Sequence, residues 1–277
     1  MARDTSFYYS FLVLPADQRR AIVAVWDFCR AVDDAADEAV EGKGAEEVAH
    51  WREELARCFE GRAPETPQGR ALQPLIARFN LPRSAFDALI EGVEMDLQSR
   101  RYATFAELYE YCIRVASAVG LMCVEIFGCQ DPASRQYAID LGVALQLTNI
   151  LRDVPGDLSC GRVYIPLEDF RTFGCAESDL IEEARHRGGV RSPAVKELLA
   201  FQAQRARAYY RRADAVLPRA DARRLVAARI MGAIYRQILS RLEAADYDVF
   251  SRVIRVPRPQ RALIAATAWV RTAVTGR

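Results

Sequence analysis

The sequence predicts an all-α fold, on three observations. Almost no run of residues alternates apolar and polar between turn signals, so strand candidates are lacking. Apolar positions recur instead at helical spacing, with helix start and stop residues placed between the periodic stretches. Finally, 15 Gly and 12 Pro in 277 residues leave few places to break long helices.

The elements follow in order. From Ala16 to Ala39, Ile22, Val25, Phe28 and Val32 recur at helical spacing, and Pro15 stands where a helix starts. Glu60–Gly69 (EGRAPETPQG) has loop composition. Pro82 opens a periodic stretch to about Ser99. Thr104-Phe-Ala-Glu107 has the form of a capping box and starts a helix that stops at Gly128. Asp131-Pro132 starts another, carrying AIDLGVALQLTNILRDV, and Ser192-Pro193 a third that lasts to about Leu217. Two more are expected, from Asp221 to Ala245 and after Pro259. One helical domain over residues 1–277 is the expected organisation, and no fixed period suggests a solenoid.

Composition narrows the function classes. With 38 Lys+Arg against 37 Asp+Glu there is no basic surface for nucleic acid. Apolar residues at 51% support a large core rather than disorder. The seven cysteines, odd in number and without C-x-x-C, predict reduced thiols rather than a disulfide frame or a zinc site. Met1–Ser10 is too polar for a secretory signal, and no stretch has the ~18 uninterrupted apolar residues of a spanning helix. A cytoplasmic location is the expectation.

The most informative segment is AIDLGVALQLTNILRDVPGD, residues 138–157. Leu141, Val143, Leu145, Leu147, Ile150 and Leu151 point to every side of a helix, which must therefore be buried on most of its circumference. Yet Gln146, Asn149, Asp153 and Asp157 fall at i, i+3, i+7 and i+11, along one stripe. Burying such carboxylates unpartnered costs several kcal/mol, so a cation should face them. On the first helix Trp26, Arg30, Asp33 and Asp37 make a second stripe, with Asp34 beside it. Two Asp-x-x-x-Asp pairs facing each other suit Mg²⁺, which takes one or two protein carboxylates and completes its octahedron with water and phosphate. Mn²⁺ fits the same oxygen ligands. The competing reading is a structural network, Arg30 with Asp33 and Arg152 with Asp157. Another is a di-iron centre, since Glu47/His50 and Glu183/His186 are both E-x-x-H, but both lie in dense charge.

With these residues in view, the chain resembles the squalene/phytoene synthase family of head-to-head prenyl transferases. The likeness runs from SFYYSFLVLP through CRAVDDAAD, RVASAVGL, QLTNILRDVPGD and GRVYIP to ARIMGAIYRQIL and YDVFSRV. Within the family, SFYYSF, VEMDL (Val93–Leu97), RYATF and VASAVG are most similar to the bacterial branch that makes presqualene diphosphate for hopanoid squalene synthesis. The resemblance implies a helical bundle around a central cavity. It implies metal ligation by Asp33 and Asp37 on one wall and by Asn149, Asp153 and Asp157 on the other, with Tyr235 joining the four aspartates in the catalytic set. Ser6, Phe7, Arg30, Gln146, Arg152 and Arg252 would bind substrate, and Tyr111 with the small residues Ala116–Gly120 would line the prenyl tunnel. One departure is Pro155-Gly156, where an acidic residue is usual. A proline there is expected to bend or end the helix before Asp157.

The implied reaction joins two farnesyl diphosphates into presqualene diphosphate with loss of diphosphate. No nicotinamide is needed for that half reaction, and no G-x-G-x-x-G follows a strand. Phytoene or dehydrosqualene synthesis is the alternative chemistry, an inert helical scaffold the non-enzymatic one. Enzymes that consume the product are implied as pathway partners. After Asp248 the chain has no acidic residue but six arginines around the apolar run ALIAATAWV. This segment either packs onto the core through Leu263, Ile264 and Trp269 or rests on the inner face of the cell membrane.

Overall fold

The computed structural model describes residues 10–37, 43–98, 100–186 and 188–275. Among the described residues there is no strand. Helix α1 (Ala16–Asp37) buries Ile22, Val25, Phe28 and Val32, the periodic positions of the sequence. Two helices follow that the sequence did not announce, α2 (Gly44–Glu60) and α3 (Pro67–Phe79). The loop between them folds over Glu54, a buried carboxylate that accepts the amides of Glu65 (3.0 Å) and Thr66 (2.7 Å) and the Thr66 hydroxyl (2.7 Å). Thr66 in turn caps α3 by accepting the Gly69 amide at 2.9 Å. The apparent loop is thus half a helix start.

Next come α4 (Arg83–Leu97) and α5 (Phe105–Cys112), whose N-terminus Thr104 caps through the Glu107 amide at 3.4 Å while Glu107 reaches back to the Ala103 amide at 2.7 Å. The single helix expected up to Gly128 is interrupted by a π-turn, π1 (Ile113–Ser117), before α6 (Ala118–Phe127) resumes. Such turns insert a residue and re-aim side chains, often at functional sites. Gly128 ends α6 with φ +69°, a left-handed conformation that favours glycine.

The central helix is α7 (Ala133–Ser159). It packs along α10 (Pro193–Val216) on one side and against π1 and α6 on the other. Close approach to π1 depends on Gly142: a Cβ there would stand 2.7 Å from the Ser117 Cα. Of the two outcomes expected at Pro155, an end is not seen: α7 continues past it to Ser159. Buried Leu151 and Val154 hold this last stretch in the core, and the Asp157 carbonyl accepts the Cys160 amide at 3.1 Å and the Arg162 amide at 2.8 Å. Packing and C-terminal hydrogen bonds therefore outweigh the bond lost at the proline.

Two short helices, α8 (Leu167–Thr172) and α9 (Glu177–His186), were not foreseen. The helix expected from Asp221 begins later, as α11 (Val226–Ala244). Asp221 is buried and serves another corner instead, accepting the amides of Gln130 (2.8 Å) and Asp131 (2.7 Å) and the Ser134 hydroxyl (2.9 Å). Last is α12 (Arg258–Thr275), packed on α11. Ile264 and Ala265 meet Ile230 and Ile234 there, but Leu263 and Trp269 point outward, so the packing alternative holds only for Ile264. Among the described residues no helix is long and apolar enough to cross a membrane, and all seven cysteines are free thiols.

Candidate active site

A cavity of about 510 Å³ opens among α1, α4, π1, α6, α7 and α11. One end is polar. Helix α1 supplies Arg30, Asp33 and Asp34, and α7 supplies Gln146, Asn149, Arg152, Asp153 and Asp157. The remainder is apolar, with Val115, Ala116, Val119 and Gly120 on π1 and α6, and Phe127, Leu141 and Leu145 deeper in. The two stripes read from the sequence therefore share one cavity. Of the small residues after Tyr111, Ala116 and Gly120 line it, whereas Ser117 is turned into the α7 interface and donates to the Ile139 carbonyl at 2.9 Å.

The α7 stripe is electrostatically unequal. Arg152 grips Asp153 with two bonds, Nε to Oδ1 at 2.8 Å and Nη2 to Oδ2 at 2.5 Å. Asp157, one turn on, has no such grip: burial first, and then the Asp153 charge, push its carboxyl up to about 7, with Arg162 and Arg152 pulling weakly the other way. Asn149 Nδ2 reaches Gln146 at 3.5 Å, while Asn149 Oδ1 is buried without a hydrogen-bond partner. Buried Tyr235 of α11 hydrogen-bonds with Arg152 and Asn149. The ion pairs differ from the structural network considered for these helices, since Arg30 bonds Asp34 at 3.3 Å rather than Asp33, and Arg152 bonds Asp153 rather than Asp157.

This donor set fits a magnesium ion. An orphaned amide oxygen and, two turns on along the same helix, a carboxyl raised by burial and by the Asp153 charge are what an oxygen-seeking cation would relieve. Among the described residues no three Asp, Glu, His or Cys side chains form a complete metal cage. Mg²⁺ does not require one, because it completes its shell with water and substrate phosphate.

A second polar cluster lies near Asp157 and was missed in the sequence. Asp96 of α4 accepts the Tyr111 hydroxyl at 2.9 Å and the Tyr164 hydroxyl at 2.7 Å, and the two rings stack with centroids 5.1 Å apart. All three line the cavity. Burial, then the Asp96 charge, raise both phenols well above their ordinary range, so they remain donors. Asp96 and Tyr164 stand inside VEMDL and GRVYIP, but no spacing rule links residues brought together only by tertiary packing.

Other expected residues fall elsewhere. Arg252 is exposed in the segment before α12 and is not among the cavity-lining residues. Ser6, Phe7 and the Asp37 side chain lie outside the described residues. The E-x-x-H pairs do not form a metal site: Glu47, His50 and His186 are exposed, and Glu183 accepts the amides of Arg191 (3.0 Å) and Ser192 (2.7 Å).

The chain is similar to known proteins along nearly its whole length. A 15-cis-phytoene synthase of Synechocystis sp. is 38% identical over 97% of this chain and 82% of the relative. A presqualene diphosphate synthase of Rhodopseudomonas palustris is 37% identical over 89% of this chain and 86% of the relative. Among solved structures, a dehydrosqualene synthase in complex with ligand superposes with TM-score 0.84 at 27% identity, covering 98% of this chain and 92% of that one. A squalene synthase of Alicyclobacillus acidocaldarius gives 0.76 at 31% identity, covering 87% and 89%. The family model for squalene/phytoene synthase matches residues 1–272. With an all-α bundle, a half-acidic, half-apolar cavity and this match along the chain, the protein belongs to the squalene/phytoene synthase family.

Proposed function

We propose that the protein joins two molecules of farnesyl diphosphate head to head into presqualene diphosphate, releasing diphosphate. The observation that carries this reading is the division of one cavity into an acidic end holding two arginines and an apolar remainder, which matches an amphiphile with a diphosphate head and a prenyl tail. Arg30 and Arg152 hold phosphate oxygens, Arg152 being oriented by Asp153 and Tyr235. Asp33, Asn149, Asp153 and Asp157, with Asp37 at the end of α1, are the residues that would hold magnesium or manganese. When bound, the metal supplies positive charge to the departing diphosphate.

The C1–O bond of one substrate breaks with its electron pair leaving on the diphosphate. The C2–C3 double bond of the second substrate attacks the allylic cation, and loss of one proton closes a cyclopropane. Phe11, Trp26, Phe127 and Tyr137 wall the cavity, excluding water that would capture the cation and offering ring faces to it. No nicotinamide takes part in this step.

The second reading is phytoene formation from two geranylgeranyl diphosphates, favoured by the 38% identity to the Synechocystis phytoene synthase. Presqualene diphosphate is placed first on the likeness of the VEMDL, RYATF and VASAVG segments to that branch. Incubation with each prenyl diphosphate and Mg²⁺, without and then with NADPH, followed by mass analysis, separates the readings. A C30 cyclopropyl diphosphate without NADPH supports the first, a C40 hydrocarbon the second. Absence of diphosphate release with either substrate would indicate an inert scaffold.

A further inference from the structure

Between Arg261 and Arg271, helix α12 carries no charged residue on any side, although it lies on the surface. Its inner face, with Ile264, Ala265 and Ala268, packs on Ile230 and Ile234 of α11. Its outer face, where a surface helix ordinarily carries charge, consists of Ala262, Leu263, Ala266, Thr267, Trp269 and Val270, all exposed. Leu263 is 66% exposed, Trp269 51% and Val270 50%, an unusual concentration of large apolar side chains in water. Val253, just before the helix, is 62% exposed.

The charges of its own segment have one sign. Exposed Arg258 and Arg271 stand at its two ends, Arg252 and Arg255 precede it, and nothing acidic follows Asp248. An apolar stripe bordered by arginine, and by no carboxylate of its own segment, complements a surface that is greasy below and anionic above. We infer that the outer face of α12 docks on an anionic lipid bilayer, with Leu263, Trp269 and Val270 inserted at the headgroup boundary and Arg258 and Arg271 on lipid phosphates.

The position of α12 gives the contact a use. Helix α11 stands between it and the cavity: Ile230 and Ile234 pack with α12, while Met231 and Tyr235 line the cavity. Val13 joins the α11–α12 cluster, and Ser10 and Phe11, just before it, line the cavity too. Docking through the outer face would therefore hold the cavity wall carried by α11 one helix away from the bilayer. The contact concerns where the protein works and is independent of which prenyl chain it takes.

Flotation of the full-length protein with vesicles of phosphatidylcholine alone, or mixed with phosphatidylglycerol, tests it. The protein is expected to float with the anionic vesicles at low salt, less so at high salt, and weakly with phosphatidylcholine. Arg258→Gln and Arg271→Gln should each lower the partition coefficient about fivefold. Leu263→Glu with Trp269→Glu should abolish flotation while circular dichroism and turnover of dispersed farnesyl diphosphate stay unchanged. Ala266→Glu, central on the same face, provides an independent variant. Failure of the wild type to float with either vesicle, or flotation of the double variant like wild type, would overturn the inference. So would a wild-type dimer that ignores vesicles and that Leu263→Glu splits, which would make this face a contact between two copies.

Discussion

Replacing Asp157 by asparagine should make the metal-free protein more stable while abolishing its activity. In the folded protein the Asp157 carboxyl ionises near 7, against 3.8 for an exposed one, because burial and the Asp153 charge disfavour its anion. The folded state thus binds more protons than the unfolded chain between those values, and stability falls as pH rises through that window. By linkage the full penalty above the window is roughly 4 kcal/mol, which partial solvent access to the cavity reduces to about 2. An amide of the same shape escapes this cost. Urea unfolding in EDTA should show Asp157→Asn more stable by about 2 kcal/mol near pH 8 and close to wild type near pH 4, with a Tm gain of roughly 5 °C at the higher pH. Diphosphate release by the variant should be lost at both. A variant less stable than wild type at pH 8, or a stability difference that ignores pH, would show that Asp157 is compensated within the protein and refute the metal-ligand reasoning.

Asp33 is exposed on the cavity wall, so Asp33→Asn should leave the unfolding midpoint within ~0.5 kcal/mol of wild type yet eliminate turnover; retained activity would remove Asp33 from the metal set. Excess EDTA should stop diphosphate release, and Mg²⁺ or Mn²⁺ should restore it; activity undiminished by the chelator would exclude the mechanism. Gly142→Ala places a methyl 2.7 Å from the Ser117 Cα, a backbone atom that cannot step aside, so a loss of roughly 3 kcal/mol in urea unfolding is expected. Because π1 carries Val115 and Ala116 of the cavity wall, turnover should fall as well.

What the sequence conveyed depended on how local the signal was. Helices α1 and α7 were legible because their apolar periodicity and their polar stripes are properties of one segment, and the stripes did meet in one cavity. Helices α8 and α9 were too short to show a period, and α3 was hidden because Thr66-Pro67, which starts it, resembles the loop before it. The Asp96, Tyr111 and Tyr164 cluster joins α4, α5 and the segment before α8, and nothing local marks it. At Pro155 the converse holds: a local rule allows the helix to end there, but it continues, held by buried Leu151 and Val154 and by the hydrogen bonds that close α7. Arg252 was placed by resemblance, and it lies on the exposed approach to α12.

The α7 stripe also shows why equal spacing does not mean equal roles. Asp153 and Asp157 are one turn apart, yet Asp153 is held by a guanidinium through both oxygens and Asp157 is not. Among the described side chains lining the cavity, five aspartates accompany two arginines, Arg30 and Arg152. Such a wall is net negative when ionised, and at a separation of 4 Å two like charges repel by about 4 kcal/mol under the effective dielectric of a protein surface. On the proposed reading, this excess of carboxylates is what divalent charge would offset, and Arg30 and Arg152 would then orient the diphosphate head. On the same reading the apolar lining from Val115 to Phe127 would take the prenyl tail and the two stripes the head group.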